Sequence, residues 1–221
     1  MEHHIDLWPS LHRPLRSWVE QALSAQPRHF PLQTHIAHNR IFLFTDSSDN
    51  GWGAVLVVTY PAVEIFISFA AWDVSTQQRH INDKEALASW KGCRELLHLW
   101  RTTPLVRKNT SLHLVVDSSS WCGSAQAIFP KKWLSLWIRR EITKLVLQHD
   151  LLGWDISWVD TLSQLADIFT RLKLRTNVEP AVSQVTLDPQ IQAILWHTQL
   201  SAKRVSQLLL PHMPQIAASI W

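Results

Sequence analysis

Two cysteines in 221 residues leave no material for a disulfide framework. They are Cys93 and Cys122, neither in a ligand-spaced pair, so a reducing, intracellular compartment is the expectation. Long apolar runs are also lacking: none approaches the ~18–20 residues of a membrane span, and no membrane partner is expected. The opening stretch MEHHIDLWPSLHRPLRSW does not have the basic-then-apolar layout of a signal peptide. CxxC and HExxH are absent, and His3, His4 and His80 form no ligand-spaced set, which argues against zinc. Asp117-Ser118-Ser119-Ser120 lacks a glycine-flanked elbow and a placed histidine, which argues against a serine hydrolase. There is no internal repeat and no low-complexity tract. Charge is nearly balanced at +3, and 12 histidines add to it only below neutrality, a mild pull toward polyanions.

What the chain does have is core. Apolar residues make up 46%, enough for one large domain or one domain with appendages. Thirteen tryptophans read first as bulky core filler and second as stacking platforms for nucleic-acid bases. Trp133 and Trp137, beside Lys131, Lys132, Arg139 and Arg140, are the best placed for the second role.

The order of elements follows from periodicity and turn chemistry. Residues 41–45 read as a buried strand, and Ser48-Asp49-Asn50-Gly51 as a hairpin turn. Residues 51–60 form a second strand and, after Pro61, residues 64–72 a third. A helix is expected over 83–100, where Ala86, Leu87, Trp90, Leu97 and Trp100 recur near helical spacing. Then come a strand over 112–116, a helix over 118–128 closed by Pro130, and an amphipathic helix over 131–148. That last helix turns Leu134, Trp137, Ile138, Ile142 and Leu145 inward. A fifth strand over 155–159 and a helix over 162–172 complete the set. Three antiparallel strands followed by alternating helices and strands predict an α/β fold: a five-stranded mixed sheet flanked by helices. Three segments are expected: an N-terminal extension (1–38) with a helix near Arg13–Leu23, a main domain (39–173), and a helical C-terminal extension (174–221). In the last, Ile191, Ile194, Leu195 and Thr198 share a helical face ahead of Ser201–Leu210. This reads as a packing appendage before a helix-turn-helix.

Four acids carry the chemistry: Asp46, Glu85, Asp117 and Asp167. Three of them end or follow apolar segments, which directs them to one region. Each has a plainer reading alone. Asp46 can cap a turn. Glu85 can close a capping box on Asn82. Asp117 can cap the next helix. Asp167, flanked by apolar residues within LSQLADIFTRL, is harder to set aside. A calcium loop starting at Asp46 fails, because Val57 stands where a bidentate Glu is needed. Taken together the acids demand cations, since carboxylates ~4 Å apart repel by roughly 4 kcal/mol per pair at an effective dielectric of about 20. Two Mg²⁺ ions answer that demand and form a clamp for in-line phosphoryl displacement.

The stretches TDSSDNGWGAVL, HINDKEALA, LHLVVDSSS and LSQLADIFTRL resemble, in order, the four motifs of the ribonuclease H domain of retroelement reverse transcriptases. The gypsy and DIRS-like elements are the most similar in flavour, and the resemblance covers roughly residues 40–173. It implies a ribonuclease H-like fold and cleavage of the RNA strand of an RNA–DNA hybrid, with two Mg²⁺ ions, or Mn²⁺, as cofactor. Asp46 would bridge both ions, Asp167 would share the one that activates water, and Glu85 and Asp117 would hold the other. RNA would be told from DNA through its 2′-hydroxyls, and cleavage would leave a 5′-phosphate and a 3′-hydroxyl. Ser47, Asn82, Ser118, Lys131, Lys132, Trp133 and Arg171 are the candidates for substrate contact. A reverse transcriptase polymerase domain or a polyprotein is the implied partner besides the hybrid. Two departures stand out. The loop before the last Asp, Ser157-Trp158-Val159-Asp160-Thr161, has no His, and Ser118 follows Asp117 where relatives carry Asn. Two other readings stay open: a non-catalytic nucleic-acid-binding or scaffolding module, and a related two-metal enzyme acting on DNA, such as an integrase.

Overall fold

The computed structural model describes residues 39–128, 130–171, 180–196 and 200–220. The expected helix near Arg13–Leu23 lies outside the described residues. Strand β1 (Asn39–Ser47) turns through Ser48–Gly51 into β2 (Gly51–Val58), which pairs back on it antiparallel, with Ser47 opposite Trp52. Strand β3 (Glu64–Ala71) adds antiparallel to β2. Strands β4 (Thr110–Val116) and β5 (Trp154–Trp158) extend the other edge, both parallel to β1.

The expected five strands are present, and a sixth joins them. Strand β6 (Ala181–Val185) pairs antiparallel with β3, so the order is β5-β4-β1-β2-β3-β6. The C-terminal extension was expected to be helical throughout. Its strand escaped because alternate residues at a sheet edge are only half covered and Val182 is 42% exposed, a weak apolar signal. The mixed sheet flanked by helices is the ribonuclease H-like class that the resemblance implies.

Helices α1 (Val74–Gln77) and α2 (Ile81–Leu96) follow β3, and α3 (Pro104–Lys108) precedes β4. Helices α4 (Ser119–Gln126) and α5 (Trp133–Gln148) link β4 to β5. The first sheet face, built of Ile41, Leu43, Leu56, Leu112 and Leu114, packs on Ala88 and Leu96 of α2 and on Ile138, Ile142 and Val146 of α5. The inward face expected for α5 is the one observed, with Val146 added to it.

After β5 comes a 3-10 turn (Thr161–Ser163), then α6 (Asp167–Thr170). One continuous helix over 162–172 was expected. The segment is broken instead, because the buried Gln164 side chain donates to Thr45 O at 3.1 Å and Val115 O at 3.2 Å. It satisfies two strand carbonyls that a regular helix would leave unpaired. Helices α7 (Pro189–Leu195), α8 (Ala202–Leu209) and α9 (Met213–Ile220) cover the second sheet face. Leu195, Val205, Leu209, Met213 and Ile216 pack there against a cluster that includes Phe42, Phe44, Val57 and Ile67. The C-terminal helices are therefore packing elements. Of the face expected for α7, Leu195 is buried, Ile194 is 48% exposed and Thr198 lies outside the described residues. No helix among the described residues is long and apolar enough to cross a membrane.

Candidate active site

The parallel strands β1, β4 and β5 all end at one edge of the molecule, where α2 and α4 begin. Ligands of open α/β sheets bind in this crevice beyond the carboxyl ends of strands. Asp46 sits at the end of β1, Asp117 directly follows β4, and Glu85 lies in the second turn of α2. One carboxylate oxygen from each of the three lies within 4.8 Å of the others. The sequence also named Asp167, which does not belong to this group. It opens α6, and the Arg171 guanidinium pairs with its carboxylate at 2.9 Å. The residues sit i and i+4 on one short helical turn, a spacing that favours such a pair.

Close packing brings these elements together. A Cβ on Gly92 would come within 2.8 Å of the Ala54 side chain, so only glycine lets α2 lie this low on β1 and β2. Gly53 does the same for α6, since a Cβ there would stand 2.9 Å from both Ala166 O and the Phe169 Cβ. Lys84, with its side chain only 3% exposed, reaches Asp49 Oδ1 at 3.1 Å and ties the hairpin turn to α2.

None of the plainer readings of the acids survives. Ser48, not Asp46, caps the hairpin turn, accepting from Asn50 N at 3.2 Å and Gly51 N at 3.3 Å. His80 is the N-cap of α2 through its Nδ1, so Asn82 is not the cap and Glu85 does not close a box on it. Ser118 caps α4 by accepting from Trp121 N, which leaves Asp117 free of that task. The three carboxylates face one another instead. Asp46 accepts from Thr170 Oγ1 at 3.0 Å, and Glu85 Oε1 accepts from Ser47 Oγ at 2.8 Å. The other Glu85 oxygen, Oε2, is buried with no hydrogen-bond partner.

The electrostatics record the crowding. Burial, and then the Asp117 carboxylate, raise the Asp46 carboxyl to about 7 against the pull of the Thr170 hydroxyl. Burial, and then Asp46, raise Glu85 to about 8. Asp117 is also pushed up, chiefly by burial, while a hydrogen bond from Thr161 opposes the rise. A buried oxygen without a donor beside two further carboxylates is the setting a hard divalent cation satisfies, since oxygen ligands and opposite charge are both supplied. The residues present therefore fit a metal centre.

The candidate substrate contacts fall into two sets. Ser47 is buried and committed to Glu85, Ser118 to its cap, and Arg171 to Asp167. Asn82 is half-buried in the first turn of α2. Lys131 and Lys132 are exposed just before α5, and Lys132 lies 3.3 Å from Asp83 of α2, which puts the start of α5 beside the start of α2. Trp133 is 74% exposed, whereas Trp137 stacks edge-on against Trp90, centroids 5.1 Å apart, and belongs to the core.

Three supporting residues were missed in the sequence. Gln164 ties the last loop to the ends of β1 and β4, and Thr170 holds Asp46. Ser89 links Thr45, Trp121 and the Glu85 carbonyl beneath the acids. Their signal was weak: lone polar residues inside apolar segments, which read equally well as solvated positions.

No family model matches the chain, and no curated protein does. Solved structures do show likeness. One is the N-terminal RNase H domain of a Mycobacterium tuberculosis protein, fused to maltose-binding protein: 17% identity, TM-score 0.44, covering 59% of this chain and 90% of that one. RNase H1 from Halobacterium salinarum has 15% identity and TM-score 0.45, over 59% of this chain and 93% of that one. An RNase H1 isolated from compost has 12% identity and TM-score 0.38, over 61% and 93%.

Proposed function

We propose that this chain is a two-metal-ion endonuclease that hydrolyses the RNA strand of RNA–DNA hybrids, in the setting of retroelement reverse transcription. The observation that carries the reading is the convergence of Asp46, Glu85 and Asp117 within 4.8 Å around a buried Glu85 oxygen that has no partner. The ordered four-motif resemblance supports the choice of substrate, and residues 39–173 are the domain that would act. Asp46, Glu85 and Asp117 are the residues that would hold Mg²⁺ or Mn²⁺, with Asp167 joining once Arg171 releases it. Such ions, when bound, lower the pKa of an attacking water and stabilise the leaving oxygen.

The chain's own groups do the rest. Asp46 and Glu85 would give up, as cations arrive, the protons that burial and then their carboxylate neighbours favour. Thr170 and Ser47 fix the orientation of those two carboxylates through one oxygen each. Lys131 and Lys132 supply positive charge for the phosphate backbone, and the exposed Trp133 offers a face for stacking. The test is cleavage of a labelled RNA–DNA hybrid in excess Mg²⁺, with Asp46→Asn alongside and duplex DNA as competitor. RNA cut by the parent and spared by the variant is the expected result. Preference for duplex DNA would move the reading to an integrase-like enzyme.

The Asp167–Arg171 ion pair favours a second reading, a nucleic-acid-binding module without cleavage, because it commits the fourth acid to a cation of the chain's own. Hybrid bound but left intact by the parent would select it.

A further inference from the structure

The segment between β5 and α6 begins with a tryptophan beside the clustered acids. Trp158 ends β5, opposite Val116, which is the residue before Asp117. Its indole Nε1 donates to the Asp117 carbonyl at 2.9 Å, so the ring is fixed against the segment that carries one of the three clustered acids. The side chain is nevertheless 54% exposed. Leu162, in the 3-10 turn that follows, is 87% exposed. An aromatic with its polar end tied down and its faces in water is a large contact surface at low entropic cost. Nothing in the packing of the described core calls for Trp158, which is absent from both buried clusters and from the residues packed on them.

Position gives the platform its ligand. The sheet order β5-β4-β1 puts Trp158, Asp117 and Asp46 along one line at the ends of the strands. At a strand spacing of about 4.8 Å, Trp158 stands about 5 Å from the strand of Asp117 and about 10 Å from that of Asp46. A nucleic-acid strand crosses such a distance in about three nucleotides at ~3.4 Å rise each. We infer that Trp158 is a stacking subsite for an unpaired nucleobase of the bound strand, where the hybrid ends in a single-stranded overhang, one to three nucleotides from the phosphate that the acids address. The inference rests on the proposed nuclease reading and adds a substrate-binding residue to it. Because every base presents a π-face, the subsite adds affinity without sequence preference.

The test measures binding of the full chain to a fluorescent RNA–DNA hybrid with a single-stranded overhang, in chelator, so that no metal and no cleavage enter the readout. A second such hybrid carries 2-aminopurine at successive positions of the overhang, to report stacking. Trp158→Ala should weaken binding by about 5- to 150-fold, the range for removing one base–aromatic stack, and should abolish quenching at one 2-aminopurine position. Trp158→Phe keeps an aromatic face but cannot donate to the Asp117 carbonyl, and should retain both binding and quenching. Trp158→Leu keeps apolar bulk without the π-face, guards against a folding defect in the Ala variant, and should behave as Ala does. Parent-like binding and quenching by the Ala or Leu variant would overturn the stacking subsite and leave the nuclease reading standing. If the parent itself failed to bind hybrid, the nuclease reading would fall and the subsite with it.

Discussion

His113, in the middle of β4, and Asp117, just after its end, lie four residues apart, and each belongs to a cluster of ionisable groups built on opposite principles. His113 bridges β4 to β5: its Nδ1 bonds the Asp155 carboxylate and its Nε2 lies 2.8 Å from Ser157 Oγ. Phe42 packs edge-on against the ring. Every side-chain polar atom of the histidine has a partner, and the acid is pulled down by it, since the histidine's hydrogen bond and charge outweigh the cost of burial. The chain has the residue types of a hydrolytic triad but not its exposure. Asp155 is 51% exposed and the histidine 11%, the reverse of an acid buried behind a reactive histidine. It is a satisfied clamp between strands. The acids around Asp117 are the opposite: like charges, pKa values pushed up, and one oxygen with nothing to bond. Buried like charges with raised pKa values mark a candidate functional site, which is what supports reading the unsatisfied cluster, and not the clamp, as the functional one.

The comparison breaks most visibly under matched amide substitutions. Asp46→Asn should cut hybrid cleavage by about 10³-fold or more, on the scale of losing a group that acts only at the reacting centre, with little loss of stability. Asp155→Asn should leave cleavage near the parent level. Steady-state rates with both variants check the pair, and a cleavage defect in Asp155→Asn would mean the two clusters are coupled.

The two clusters should also respond to pH with opposite signs. Asp46 and Glu85 have folded values of about 7 and 8, above their ordinary 3.8 and 4.5. Their contribution is fully present below the ordinary values and is lost as pH rises through the folded ones. Metal-free protein should therefore lose on the order of a few kcal/mol of stability between about pH 4 and pH 8. Glu85→Gln should flatten that fall, and Mg²⁺ should offset it by binding only the folded form. Asp155 is lowered, so its contribution is present above 3.8 and lost only as the pH drops further. Denaturant midpoints at several pH values, with and without Mg²⁺, measure both slopes. Next in size, His113→Ala should cost about 1–3 kcal/mol, because it strips partners from Asp155 and Ser157 and leaves a gap beside Phe42. A drop in cleavage beyond what lost stability explains would contradict the division of roles.

Much of the site was readable because strand-ending acids leave a pattern: an apolar run, then Asp46 or Asp117. The hairpin at Ser48–Gly51 was readable for a similar local reason. Side-chain partnerships across the fold were not. That Glu85 accepts from Ser47, or Asp46 from Thr170, follows from how α2 and α6 settle on glycines, which no window of sequence encodes. The helix assigned to 162–172 fits its periodicity well, yet Gln164 drew the segment toward two strand carbonyls and left Leu162 in water. Local preference lost there to long-range satisfaction of the backbone. Strand β6 was missed because pairing at an edge needs few buried side chains.

At the start of α5, Lys131→Ala with Lys132→Ala should sharpen the contrast in a third way, since these exposed charges would act on a ligand rather than on the fold. Log affinity for hybrid against log salt should become shallower by up to about 0.9 for each phosphate that is no longer neutralised, with thermal stability unchanged. An unaltered salt slope would remove the start of α5 as the substrate grip.

The smallest expected effect tests where the two principles meet. Asp167 is the one acid of the four that is paired with a cation, Arg171, although it opens a helix beside the cluster. Both partners are open to solvent, Asp167 at 28% and Arg171 at 69%, so the pair contributes little. Arg171→Ala should free Asp167 and remove one positive charge from the rim, tightening Mn²⁺ binding by about 1.5- to 5-fold in a calorimetric titration without substrate. Arg171→Lys should fall between parent and Ala, since an ammonium keeps the charge but not the Nε–H that donates to the carboxylate. Weaker metal binding in the Ala variant would show that Arg171 positions Asp167 for the ion rather than competing with it. Asp167 would then count with the functional cluster, held ready for the ion by its partner, and that cluster would be four acids rather than three.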